Sequence, residues 1–83
     1  MGDADVTFGQ LRVLALLEDE GPMNLSAVAQ ALAVGPSNAS RTCDRLVRGG
    51  LLDRREDPDD RRNVVLTVTV PGRRALAARL GRR

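Results

Sequence analysis

The patterned part of the chain begins at TFGQLRVLALLEDEG, where Leu11, Val13, Leu14 and Leu17 recur at the spacing of one helical face. Thr7 followed three residues later by Gln10 fits a capping box, in which each side chain satisfies a backbone N–H of the other residue. Gly21 and Pro22 then stop the segment. NLSAVAQALAV keeps the helical period, with Asn24 placed to cap it and Leu25, Val28, Ala29 and Leu32 on its buried side, and it ends near Ala33 and Val34. A third helix is predicted in GPSNASRTCDRLVRGG, with Gly35 at the cap, Pro36 at the first helical position, where its missing N–H costs nothing, and Gly49 and Gly50 as the stop. At about 100° per residue, Ala39, Cys43, Leu46 and Val47 fall within one arc that faces the core. The other side carries Ser37, Asn38, Arg41, Arg45 and Arg48.

Beyond the glycines the period falls to two. LLDRRE reads as a short strand, DPDD as a turn with Pro58 in its favoured early position, and NVVLTVTV as a β-branched strand with Val64, Leu66, Val68 and Val70 on one face. PGRRALAARLGRR begins a further helix with Leu76 and Leu80 one turn apart. The expected architecture is mainly α with a small β-hairpin (α+β), in the order α-α-α-β-β-α. One domain is expected over residues 6–80, with residues 1–5 and 81–83 as flexible termini, because 83 residues cannot fill a second core.

Composition changes this picture in three ways. Hydrophobic residues make up 42% of the chain, enough for a core, but with one Phe and no Trp or Tyr that core is built from Leu, Val and Ala. So few large anchors suggest a second copy or a partner as a source of added stability. No apolar run reaches membrane-spanning length and no signal peptide opens the chain, so a cytoplasmic protein without membrane contact is expected. There is no histidine and only one cysteine, which removes the usual general base, a soft metal site and an internal disulfide, so the expectation is a protein without cofactor that is not an enzyme.

Charge is the third. All 13 basic residues are arginine, which we attribute to a genome rich in G and C. Residues 1–40 hold one arginine against five acids, net −4, and residues 41–83 hold twelve against six, net +6. A basic half of this kind points to a polyanion. Two short helices joined by a tight turn, the second with a polar and arginine-bearing face, make a helix-turn-helix, and a following hairpin makes it a winged helix. Residues 36–48 would lie in a major groove, where arginine reaches guanine N7 and O6, and the hairpin would bring its tip to the adjacent minor groove.

TFGQLRVLALL, then LSAVAQALAVGPSNASRTCDRLVRGGLLDR, then DPDDRRNVVLTVTVPG resembles the DNA-binding region of the multiple-antibiotic-resistance regulator (MarR) family, over residues 6–80 and without a gap through the wing. The resemblance implies a nucleoid-associated transcriptional regulator that binds double-stranded DNA and acts as a repressor by occluding a promoter. It carries base and phosphate contacts onto Ser37, Asn38, Ser40, Arg41 and Arg45, with Arg48 toward phosphate or a carboxylate. In the wing (54–66) it implies that Asp60 orients Arg62 at the minor groove, with Arg61 beside it. The wing acids would also reduce repulsion among Arg54, Arg55, Arg61 and Arg62. For Asp44, pairing with Arg48 or with a wing arginine is favoured over cytosine recognition. Cys43 lies on the apolar arc and is read as a small core residue, not as an oxidant sensor.

Members of that family are longer, with a helix before the first one here and long C-terminal helices that interlock into a dimer and line an effector cleft. With about five residues before Val6 and eleven after Gly72, this chain is expected to lack most of that apparatus and the effector pocket. A homodimer would then use the first and last helices, with Leu11, Leu14, Leu76 and Leu80 as candidates for the uncovered face. Ala33 and Gly35 stand where the family often has Gly and Ser, and a left-handed Ala33 would cost on the order of 1 kcal/mol. The alternative function is a winged-helix adaptor for proteins. It has no need to hold Arg41, Arg45 and Arg62 unpaired and outward. RNA binding is disfavoured by the near absence of aromatic side chains for base stacking.

Overall fold

A computed structural model describes residues 6–81, and for Arg61 and Arg62 the backbone only. The elements run α1 (Phe8–Glu20), β1 (Met23–Asn24), α2 (Leu25–Leu32), α3 (Pro36–Arg48), β2 (Leu52–Asp57), β3 (Asp60–Val68) and α4 (Val70–Arg79). They form four helices and a small antiparallel sheet of order β1-β3-β2. Residues 1–5 and 82–83, assigned to the termini in the sequence reading, lie outside the described residues.

The helix boundaries follow from side-chain caps. Thr7 Oγ1 accepts from Gln10 N at 3.1 Å and Gln10 Oε1 accepts from Thr7 N at 3.2 Å, which completes the capping box of α1. Asn24 Oδ1 accepts from Ala27 N at 2.8 Å, so one residue both closes β1 and caps α2. Gly35 caps α3 with its backbone alone, followed by Pro36. Ala33 is left-handed, at φ 57° and ψ 43°.

Two expectations require correction. The sheet has a third strand, β1, whose Met23 and Asn24 pair with Leu66 and Val65 of β3. Two residues carry no period, so only the long-range pairing creates that strand. Val70 does not extend the face of β3: Thr69 Oγ1 accepts from Gly72 N at 3.0 Å, so the chain turns into α4 at Val70, which is exposed. The cap overrides the β-branched alternation.

The core is one cluster of Val13, Leu14 and Leu17 from α1, Val28 from α2, Cys43 and Leu46 from α3, Leu52 and Leu66 from the sheet and Leu76 from α4. Leu14 and Leu76 therefore hold the interior together and do not form an uncovered face; Leu11 packs half-buried against them, and Leu80 alone of the four is exposed, at 60%. The physical reason is that α4 lies against α1 and buries both leucines between them. Its approach is close. Thr69 N donates to Leu51 O at 3.1 Å and Thr69 Oγ1 donates to Gly50 O at 2.7 Å, pinning α4 to the α3–β2 junction. A Cβ on Gly72 would stand 2.2 Å from Leu51 O, so only glycine fits there.

Candidate nucleic-acid interface

Helix α3 buries Ala39, Cys43 and Leu46 and leaves Val47 half-buried, which orients the rest of its circumference. Ser37, Asn38, Arg41, Arg45 and Arg48 are all exposed. Among the described residues, none of these three arginines forms an ion pair or a side-chain hydrogen bond with the protein. Ser40 sits apart from that face. It is half-buried and lines a small apolar cleft with Leu25, Cys43, Arg54, Val64 and Leu66, at the root of the wing.

Asp44 is the one acid on α3, and it points to the sheet. Its Oδ1 accepts from Arg54 Nη2 at 2.7 Å, with the two side chains about half exposed. The partner is thus a wing arginine and not Arg48. Such a solvated pair contributes on the order of 1 kcal/mol or less to stability. Its geometric effect is larger: it ties the root of the wing to α3 and neutralises the one carboxylate of that helix. Arg55 is held against Asp53 at 3.3 Å, so both arginines of β2 are engaged in internal contacts.

Beyond Leu52 the strand β2 carries exposed residues from Asp53 to Glu56, so the ribbon leaves the body of the protein. Its tip is less regular than a plain hairpin. The register shifts between Glu56, which stands opposite Val64, and Asp57, which stands opposite Asp60. A strand that accommodates extra residues bends and re-aims them. Asp60 is half-buried at the start of β3; the side chains of Arg61 and Arg62, which the sequence reading placed at the minor groove, lie outside the described residues.

Cys43 is buried, and burial pushes its thiol above the ordinary value, with Asp44 adding to the shift and Arg54 opposing it. The thiolate needed for oxidant sensing is disfavoured, in line with a core role.

Sequence reasoning missed one grouping. The first turn of α1 lies beside α3, so that Thr7 and Gln10 share a polar depression with Asn38, Arg41, Thr42 and Arg45. The four α3 positions are spaced as one helical stripe, but nothing in the local sequence ties them to α1.

The sequence profile of the MarR family matches residues 4–63, most of the chain. The chain belongs to the MarR family. Among its relatives, the HTH-type transcriptional repressor MdtR of Bacillus subtilis (strain 168) is 34% identical, over 89% of this chain and 54% of its own length. RV1404 from Mycobacterium tuberculosis superposes with a TM-score of 0.86 at 39% identity, over 89% of this chain and 50% of its own. A mutant MarR from E. coli complexed with operator DNA superposes at 0.85 with 26% identity, over 93% and 55%. The MarR-family fold is thus a winged helix, mainly α with a small antiparallel sheet, and the curated relatives are transcriptional regulators, not enzymes. The chain spans about half the length of the curated relatives it matches. Among the described residues no helix is long and apolar enough to cross a membrane.

Proposed function

We propose that this chain is a DNA-binding unit of a transcriptional regulator, a repressor that blocks a promoter by occupying it. Helix α3 enters the major groove, where Arg41 and Arg45 reach guanine edges, Ser37 and Asn38 meet other base edges or phosphates, and Arg48 meets phosphate, while Ser40, turned to the root of the wing, is left out of the contact set. The wing follows the backbone to the minor groove, with Arg61 and Arg62 at its tip and Asp60 orienting Arg62. One observation carries the reading: Arg41, Arg45 and Arg48 stand outward and unpaired on one helix while Asp44 on that helix is turned to Arg54. An adaptor for proteins gains nothing from three uncompensated guanidinium groups in a row. That a mutant MarR from E. coli, similar over 93% of this chain, is complexed with operator DNA supports DNA as the partner.

The reading includes a cytoplasmic, nucleoid-associated location and no cofactor. A homodimer through α1 and α4 belongs to it as well, with Phe8 of α1 and Val70 of α4 exposed and Leu80 exposed at the C-terminal end of α4. Two-fold pairing would set the spacing of two half-sites.

Fluorescence anisotropy on a pooled random-sequence duplex tests the proposal. Binding at low salt should fall steeply as salt rises, and Arg41→Ala should weaken it and reduce the log–log salt slope by about 0.9 if one phosphate contact is lost, or weaken it at unchanged slope if a base contact is lost. Absence of binding at the lowest salt would refute it.

A further inference from the structure

We infer that Thr7 and Gln10, the capping box of α1, form with Arg45 and Asn38 a seat for one phosphate of the DNA backbone. This rests on the DNA-binding reading of α3 and extends the interface to a second element. The argument starts from what the capping box leaves unused. Gln10 Oε1 is occupied by Thr7 N and Thr7 Oγ1 by Gln10 N, so both acceptor oxygens already hold an N–H. What the two side chains still offer is the hydroxyl proton of Thr7 and the amide NH2 of Gln10, which are donors. Both line the depression that also receives Asn38, Arg41, Thr42 and Arg45.

The chemistry of that depression is one-sided. Two guanidinium groups supply only donors, the hydroxyls and amides add more, and none of the six lining residues is a carboxylate. Asn38, Thr42 and Arg45 follow one another at i, i+4 and i+7 along the flank of α3 that faces α1, so they bring donors to the same place as Thr7 and Gln10. A cluster rich in donors and free of acids matches the oxygens of a phosphodiester, and groups outside the groove can reach only the backbone. The seat reassigns Arg45 from a guanine edge to the backbone, so that Arg41 is left to reach bases while Arg48 stays on phosphate. The seat fixes the depth and register of α3 through a sequence-independent contact, and it explains why α1 presents a neutral glutamine at its third helical position rather than the glutamate that serves a capping box equally well.

That last point supplies the test. Gln10→Glu keeps the oxygen that accepts from Thr7 N, so the helix start is preserved, but it replaces the NH2 donor with an anionic oxygen inside the seat. Because the contact reads no bases, the pooled random-sequence duplex is a sufficient probe. Ala31→Glu, on an exposed position of α2 outside the seat and outside the helices assigned to the dimer, adds the same charge and controls for net charge. We expect thermal melting of Gln10→Glu at or above the parent temperature, an affinity at least tenfold weaker than that of Ala31→Glu, and a log–log salt slope smaller by about 0.9, the loss of one phosphate. If the parent binds and Gln10→Glu, folded by its melting curve, binds as Ala31→Glu does, the seat is refuted while the DNA-binding reading stands. A Gln10→Glu chain that melts below the parent would equally overturn the inference, because the capping oxygen would not be interchangeable. If the parent itself does not bind at low salt, both fail.

Discussion

Replacing Ala33 by glycine should stabilise the protein, and the size of the gain can be worked from the turn between α2 and α3. Ala33 sits at φ 57° and ψ 43°, the left-handed region, where a Cβ crowds the following carbonyl. The turn is nonetheless well bonded: Ala33 N donates to Gln30 O at 3.2 Å and Val34 N donates to Ala29 O at 3.0 Å, the paired bonds that end a helix on a left-handed residue. Those bonds use backbone atoms only and survive the substitution. Removing the Cβ relieves roughly 1–2 kcal/mol of strain, and the added freedom of glycine in the unfolded chain takes back about 0.5–1 kcal/mol. The net expectation is a gain of about 0.5–1 kcal/mol, or about 2–8 °C in Tm for a domain of this size. Ala33→Val should move the other way by about 1 kcal/mol or more, because a β-branched residue is disfavoured further in that region. Urea unfolding followed by circular dichroism measures both, and duplex binding should be unchanged in Ala33→Gly because the angle between α2 and α3 is preserved. A glycine variant that melts at or below the parent would refute the reasoning, since it would mean that the turn is not held left-handed in solution.

Gly72→Ala should destabilise by about 3 kcal/mol, in the upper range for overpacking, because α4 would have to lift away from Leu51 O and take Leu76 partly out of the core; calorimetric melting reads the loss, and an unchanged Tm would contradict the close approach. Cys43 gives a pH dependence. Its thiol is raised in the folded state, so the unfolded chain ionises first: stability is unaffected below the ordinary thiol range, falls as pH rises through it, and stops falling once the folded thiol also ionises. Urea midpoints from neutral to alkaline pH should show that decline relative to Cys43→Ala, and a thiol reagent at neutral pH should label native Cys43 no faster than the protein opens.

Much of the molecule was legible along the chain because its signals are local. Caps were readable where a side chain bonds a backbone N–H three residues on, as at Thr7 and Asn24. The face of α3 was readable because three apolar residues at helical spacing fix the opposite side as outward. For Asp44 the chain left two partners open, Arg48 and a wing arginine, and the fold selected Arg54; a left-handed Ala33 entered only as a conditional cost, from the glycine that the family often has there.

What the chain by itself determined, then, is the set of helices, their ends and the charged character of the outward face, all governed by interactions within a few residues. The tertiary structure alone decided which distant residues meet. Strand β1 exists because Met23 and Asn24 reach the free edge of β3, and Val70 belongs to α4 because Thr69 is pinned at Gly50 and Leu51. Leu14 and Leu76, equally fit by period for a surface seam or a core, are interior because α4 folds back onto α1. Thr7 and Gln10 come to the flank of α3 only through the packing of α1 against it. Periodicity states that a face is apolar or charged; the partner of that face is set by the whole fold, through burial summed over many weak contacts that no short segment contains.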